Sequence, residues 1–145
     1  MPRIFEIEFG TPEYDEAVQL RYEVLRKPLG LEYTPEQLAA EFDQRHLVAT
    51  ADNGVLLGYL HLTPVDAATV KMRQVAVAPD AQGKGVGTLL VHGSEALAGR
   101  LGFQQIVLHA RETAVPFYLR LGYEQVGDRF EEVGIPHFKM KKQLT

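Results

Sequence analysis

A chain of 145 residues has the usual length of one compact domain and leaves no room for a second with its own core, so residues 1–145 are expected to form a single unit. Hydrophobic residues make up 46% and charged residues 23%, the balance of a soluble globular protein, while a formal net charge of −4 and a pI near 5.7 exclude a general basic field for nucleic acid. The absence of cysteine excludes disulfides, thiol nucleophiles and cysteine metal sites, and fits a reducing compartment. No apolar run approaches the roughly 18 residues of a membrane span, and Met1-Pro2-Arg3 leads into an alternating pattern rather than a signal-peptide core. A cytoplasmic protein is expected, with neither membrane nor nucleic acid as partner.

Residues 4–9 alternate with near period two, as a half-buried strand does. Thr11-Pro12 then opens a helix with Ala17, Val18, Val24 and Leu25 as its apolar stripe. Thr34-Pro35-Glu36-Gln37 has the spacing of a capping box and predicts a second helix to about Phe42, joined to the first through residues 27–33. Residues 46–51 and 55–63 are apolar, partly β-branched runs separated by Asp52-Asn53-Gly54, the signature of an antiparallel hairpin. A turn around Asp66 leads into a strand over 70–77 that Pro79 stops.

From Gly85 the period becomes helical: Val86, Leu89, Leu90, Gly93, Leu97 and Leu101 share a side, and Gly102 is placed as a C-cap. Residues 106–108 read as a buried strand, and Thr113 as the cap of a short helix ending at Gly122. Paired strands over 123–126 and 138–140 complete a mixed α/β order.

The chemistry concentrates where strand 70–77 hands over to helix 86–101. Gly83, Gly85 and Gly87 let the backbone approach a ligand, and the helix that follows directs unpaired amides and its positive dipole end outward. A phosphate or pyrophosphate is the natural occupant, with Lys84 as a further positive charge. A Walker loop would need glycine at Ala78 and a hydroxyl at Gly85; a dinucleotide fingerprint would need glycine at Thr88. Both spacings fail.

Gln82-Gly83-Lys84-Gly85-Val86-Gly87 resembles the Q/R-x-x-G-x-G/A signature of GNAT acyltransferases, and it follows a strand whose Val75-Ala76-Val77 is similar to theirs. Downstream, Ala114, Phe117, Tyr118, Gly122 and Tyr123 resemble the second family motif at the family's separation. The resemblance covers most of residues 46–145. It implies a mixed, splayed β-sheet flanked by helices, with acetyl-CoA in the splay. The pyrophosphate would lie on amides of residues 82–88, Gln82 to Thr88, and the pantetheine arm on the backbone of Val75 and Val77 as an added strand.

The resemblance also implies acetyl transfer to a primary amine, of a small molecule or a peptide, by direct transfer in a ternary complex. A catalytically inactive CoA-binding module of the same fold is the alternative. Such transfer needs a neutral amine, a donor for the oxyanion and a proton for the departing thiolate. The last role falls to Tyr118 by resemblance, and the family's oxyanion donor corresponds to a backbone amide near Val77.

The base is open. Relatives place a glutamate early in the strand that here begins Lys71-Met72-Arg73; the remaining candidates are His61, His109, Glu112, Glu132 and His137. Arg111 stands where many members carry asparagine. Residues 132–137 resemble the tail of an ElaA-like bacterial subset, which makes His137 a candidate substrate residue; Glu112 is a second candidate. The lone serine, Ser94, falls inside a helix, which excludes an acyl-serine. The histidines lack ligand spacing, so no metal is expected. The acceptor pocket is assigned to residues 25–33 and the late loops, and a homodimer remains open.

Overall fold

The computed structural model describes residues 2–144. Seven strands form one sheet in the order β1-β2-β3-β4-β5-β7-β6. β1 (Arg3–Ile7), β2 (Arg45–Thr50), β3 (Leu56–Pro64) and β4 (Thr69–Val77) pair antiparallel in succession. β4 and β5 (Gln105–Arg111) are parallel because the long helix between them, α3 (Val86–Arg100), carries the chain back over the sheet. β6 (Glu124–Glu132) and β7 (Ile135–Gln143) form a hairpin whose second strand pairs antiparallel with β5.

The local signals act largely as expected. The Thr11 hydroxyl accepts from the Tyr14 amide at 3.3 Å and opens α1 (Pro12–Arg21). Both halves of the Thr34/Gln37 capping box are present at α2 (Pro35–Ala39). α3 closes on Gly102 (φ +91°), with Phe103 N–H donating to the Ala98 carbonyl and Gly102 N–H to that of Gly99, the paired bonds of a Schellman stop.

Three boundaries differ. α2 ends at Ala39 rather than near Phe42, because Glu41 turns inward to a buried partner. Thr113 does not cap α4 (Val115–Arg120): it lies in a 3-10 turn over Glu112–Ala114, and Ala114 occupies the cap position without a side-chain bond. β6 and β7 run well beyond 123–126 and 138–140. Their two-residue turn, Val133 (φ +48°) and Gly134 (φ +75°), has both residues left-handed, the hairpin geometry that matches strand twist.

α3 and α4 cover one face of the sheet, where Leu47, Leu60, Met72, Leu90, Ile106 and Met140 are buried together. α1 covers the β2–β4 half of the other face through Ala17 and Leu20, against Val48, Tyr59 and Ala76. Beneath α1 lies a polar network. Arg21, fully buried, makes two bonds to the Glu41 carboxylate at 2.8 and 2.7 Å and stacks on the rings of Tyr33 and Tyr59. Tyr14 donates to the same carboxylate at 2.8 Å. His46 Nε2 donates to the Glu41 carbonyl at 3.1 Å, so its Nδ1 accepts from Tyr59 Oη at 2.6 Å, and His61 Nδ1 donates to that oxygen at 2.9 Å.

This network dictates an acid response. Burial holds His46 below its ordinary 6.5 and pushes His61 down to about 3. His61 is therefore neutral in the folded protein well below pH 6.5, whereas the unfolded chain takes up its proton from there downward, so stability drops; His46 acts in the same direction. Burial pushes the Glu41 carboxyl upward, but the Arg21 bonds outweigh it and hold the group below 4.5. Its contribution is present above 4.5 and is lost as pH falls through the folded value. Urea denaturation is therefore expected to show stability falling already between pH 6.5 and 4.5, with His61 contributing up to ~1.4 kcal/mol per pH unit. His61→Leu should remove the His61 share and flatten that slope; an unchanged slope would show that His61 is not held neutral.

Candidate functional site

The sheet opens between its two central strands. β4 and β5 pair only from Thr69 opposite Gln105 to Met72 opposite Leu108. Beyond that point each strand keeps its outer neighbour and loses the inner one. The opening coincides with a bulge in β4: the register to β3 shifts between Tyr59, opposite Ala76, and His61, opposite Arg73, and Gln74 takes a left-handed φ of +57°. The bulge reverses the alternation. Val70 and Met72 face the α3 side before it, whereas Val75 and Val77 pack toward that core after it. The Gln74 side chain accepts a hydrogen bond from Tyr33, whose ring lies between the guanidinium groups of Arg21 and Arg26.

A cleft of about 360 Å³ fills the opening. Tyr118, on α4, enters it from the α3 side. It is only 6% exposed, packs edge-on against Phe117 and Tyr123, and among the described residues has no hydrogen-bond partner for its hydroxyl. Burial pushes its phenol up to about 12, so it is protonated at neutral pH.

The opposite wall follows from strand register. Lys71 pairs with Val107, Arg111 with His137, and His137 with Phe130. With period two, Lys71, His109, Arg111, His137, Phe130 and Glu132 therefore share the face away from α3. Phe130 lies against both imidazoles, its centroid 5.0 Å from His109 and 5.9 Å from His137. His109 Nδ1 lies 2.9 Å from Glu132 Oε1 and 3.3 Å from Lys71 Nζ. His137 is buried, donates from Nδ1 to the Ile135 carbonyl at 2.8 Å, and presents Nε2 3.6 Å from Glu132 Oε2. Burial pushes the Glu132 carboxyl up, but the bond from His109 outweighs it and holds the group below its ordinary range. Burial, then the neighbouring Arg73 charge, lowers the Lys71 ammonium.

The glycine segment sits at the far end of β4. Gly83 (φ +75°) and Gly85 (φ +85°) are both left-handed, a conformation other residues adopt only with strain. Gly85 occupies the cap position of α3, and no side chain satisfies the helix terminus. The first bond within this turn is Leu89 N–H to the Gly85 carbonyl, which leaves the amides of Val86, Gly87 and Thr88 without a helical partner. A Cβ on Gly87 would lie 3.3 Å from the Phe117 ring, so glycine there lets the two helices approach. Gln82 Nε2 donates to the Val77 carbonyl at 3.0 Å and ties this loop to the strand end. Lys84 is exposed beside it. The uncapped amides and the open edge of β4 at Val75, Ala76 and Val77 fit a pyrophosphate with an extended arm.

Of the other sequence-derived candidates, the structure brings His109, Glu132 and His137 to the cleft. Glu112 lies outside its lining, exposed and 3.5 Å from Arg129, and His61 is buried in the network beneath α1. Arg111 donates to the Leu25 carbonyl at 3.3 Å, which joins the end of β5 to the turn after α1. Leu25, Arg26 and Leu31 of the expected 25–33 segment line the cleft, as do Lys71, Arg73 and Gln74, which the sequence did not point to as site residues. For Gln74 a signal exists: the apolar phase of β4 switches from Val70 and Met72 to Val75 and Val77.

Residues 16–144 match the family model described as the acetyltransferase (GNAT) domain. The chain belongs to the GNAT acetyltransferase family. A UPF0039 protein of Schizosaccharomyces pombe is 33% identical over 101 residues, 68% of this chain and 67% of that one. An acyl-CoA N-acyltransferase from Pseudomonas aeruginosa is 28% identical with a TM-score of 0.81, covering 98% and 99% of the two chains. Escherichia coli ElaA shares the fold at 22% identity and a TM-score of 0.80, over 98% and 99%. A GNAT acetyltransferase from Elizabethkingia anophelis has acetyl-CoA bound, with 19% identity, a TM-score of 0.75 and 99% and 98% coverage. The mixed, open α/β sheet is thus the GNAT fold, and the chain is an N-acetyltransferase by family. Among the described residues no helix is long and apolar enough to cross a membrane.

In this GNAT sheet the residue at the bulge, Gln74, takes its side-chain hydrogen bond from Tyr33. Tyr33→Phe is expected to cost about 1 kcal/mol in urea denaturation, the net worth of one hydrogen bond. An unchanged midpoint would mean that the bond to Gln74 contributes nothing to holding the strands apart.

Proposed function

We propose that the chain transfers an acetyl group from acetyl-CoA to a primary amine by direct attack in a ternary complex. The observation that carries this reading is the cleft itself: a buried, protonated phenol with an unpartnered hydroxyl on one wall, and a carboxylate–imidazole pair on the other. Acetyl-CoA supplies an activated thioester; the protein supplies position and proton transfer. Val86, Gly87 and Thr88 hold the pyrophosphate through their amides, with Gln82, Gly83 and Gly85 shaping the loop and Lys84 adding charge. Val75 and Val77 offer backbone to the pantetheine arm, Ala76 being turned toward α1.

Glu132 orients His109 by accepting from Nδ1–H, which leaves Nε2 free to take a proton. As the amine nitrogen bonds to the acetyl carbon, its proton passes to His109. The carbon–sulfur bond then breaks, and the Tyr118 hydroxyl donates to the departing sulfur. His137, with its Nε2 near Glu132, helps to hold the carboxylate and lines the acceptor side. Glu112 has no part in this reading, because its side chain faces Arg129 outside the cleft. The protein is assigned to the cytoplasm, in keeping with its lack of cysteine.

Tyr118→Phe is expected to lower kcat by about 10²–10³ while CoA affinity stays within a few-fold, since the phenol acts on the transition state rather than on the bound coenzyme. Unchanged turnover would remove Tyr118 from the mechanism. Gly85→Val, forced into a left-handed conformation that costs ~1–2 kcal/mol, should weaken acetyl-CoA binding by about tenfold or more in calorimetric titration. If the wild-type protein is stabilised by acetyl-CoA yet releases no CoA with a broad panel of amines and peptides, the inactive CoA-binding module replaces this reading.

A further inference from the structure

The cleft has the wrong sign for the chain that contains it. Over the whole sequence 19 acidic residues outnumber 15 lysines and arginines. Along the cleft, however, Arg26, Lys71, Arg73 and Arg111 face a single carboxylate, Glu132. That carboxylate is already bonded to His109. Elsewhere cations find acids: Arg21 with Glu41, Arg45 with Glu6, Arg129 with Glu112, and Lys142 with Glu95. Among the described residues no carboxylate pairs with Arg26, Arg73 or Arg111. Arg26 lies over the Tyr33 ring at 4.5 Å, and Arg111 reaches only the Leu25 carbonyl.

Like charges gathered in a concave site cost free energy unless a ligand of opposite sign is held there. The coenzyme's phosphates do not answer to this description. Their cradle follows Val77, whereas Arg73 lies four residues earlier, about 13 Å along an extended strand at ~3.3 Å per residue. The arm expected between them is uncharged. The three arginines come from the π-helical turn that continues α1 (Tyr22–Arg26), from β4 and from β5, so separate elements bring them to the lining of one cleft. Their planar forks match the paired oxygens of a carboxylate or a phosphate, and remain charged at any working pH.

We infer that the acceptor is a primary amine that also carries an anionic group, a carboxylate or a phosphate, held by Arg26, Arg73 and Arg111 while the amine faces His109 and Tyr118. This rests on the acetyl-transfer reading and narrows its substrate class. A polyamine or another purely cationic acceptor would meet a repulsive wall.

The test uses matched probes that differ in one group: β-alanine, 2-aminoethylphosphonate, β-alaninamide and 1,3-diaminopropane, with phenylalanine and phenylalaninamide as a bulkier pair. CoA release is measured with each probe at saturating acetyl-CoA. An anionic probe is expected to exceed its carboxamide or diamine counterpart at least tenfold in kcat/KM. Arg73→Gln and Arg111→Gln should each narrow that gap at least tenfold, chiefly through KM. The carboxylate and phosphonate arms show which anion is preferred.

An equal or better rate with β-alaninamide or 1,3-diaminopropane would overturn the inference, as would arginine variants that slow both classes alike. Calorimetric titration of the same probes into CoA-saturated protein reads the site without turnover. Preferential binding of the anionic probes, lost in Arg73→Gln, upholds the inference even if no amine releases CoA, an outcome that sinks the acetyl-transfer reading alone. Absence of any preference for anionic probes in that titration overturns the anion site itself.

Discussion

The structure turns on the loss of pairing between β4 and β5 beyond Met72. A continuous sheet would have satisfied both strands and left no cleft. Instead β4 takes an extra residue at Gln74, in a left-handed conformation that costs a non-glycine residue on the order of 1–3 kcal/mol, and the strand leaves its neighbour. Tyr33 stabilises that conformation through its bond to the Gln74 side chain, and Tyr33 is itself placed by the Arg21–Glu41 pair beneath α1. The buried network and the open edge of the cleft are therefore joined through Tyr33 and Gln74. Backbone groups left open by the splay are costly if buried dry, and an extended ligand arm is one way to satisfy them.

The same opening explains why the two walls differ chemically. The α3 side is the interior of the molecule, so what reaches the cleft from there is an aromatic with a single polar atom, Tyr118. On the other face α1 covers only the β2–β4 half of the sheet. The β5–β7 half lacks such a cover; Lys71 and Glu132 meet there at His109 Nδ1, and Arg111 reaches only the Leu25 carbonyl. A phenol raised by burial thus stands opposite a carboxylate lowered by its imidazole partner. These opposite environments keep the phenol protonated and the carboxylate ionised at neutral pH.

Much of this was legible residue by residue. The capping box at Thr34, the glycine stop at Gly102 and the Asp52-Asn53-Gly54 hairpin act within a few residues, and they act as their sequence predicts. The glycine segment was equally legible, since left-handed φ at Gly83 and Gly85 and an uncapped helix start are backbone properties. The late hairpin was not. β6 is an exposed edge strand whose residues 127–132 are mostly polar, and its turn places Val133 in a conformation that valine disfavours, so length and register come from pairing with β7 rather than from local preference. The early end of α2 has a similar origin, since Glu41 belongs to Arg21 across 20 residues of chain.

What the sequence determined by itself was the proposed coenzyme side: strand, glycine loop and helix are contiguous over residues 70–101, and short-range spacing is enough to specify which amides are left open. Only the tertiary structure brought together the residues of the proposed acceptor side. Arg26, Arg73, Arg111, His109, Glu132 and His137 come from five elements, and nothing in their spacing announces that they meet. Their convergence depends on one bulge, on which strand pairs with which, and on a period-two alternation counted across three ladders. Those are properties of the sheet as a whole, and so the chain's overall negative charge conceals a cleft of opposite sign.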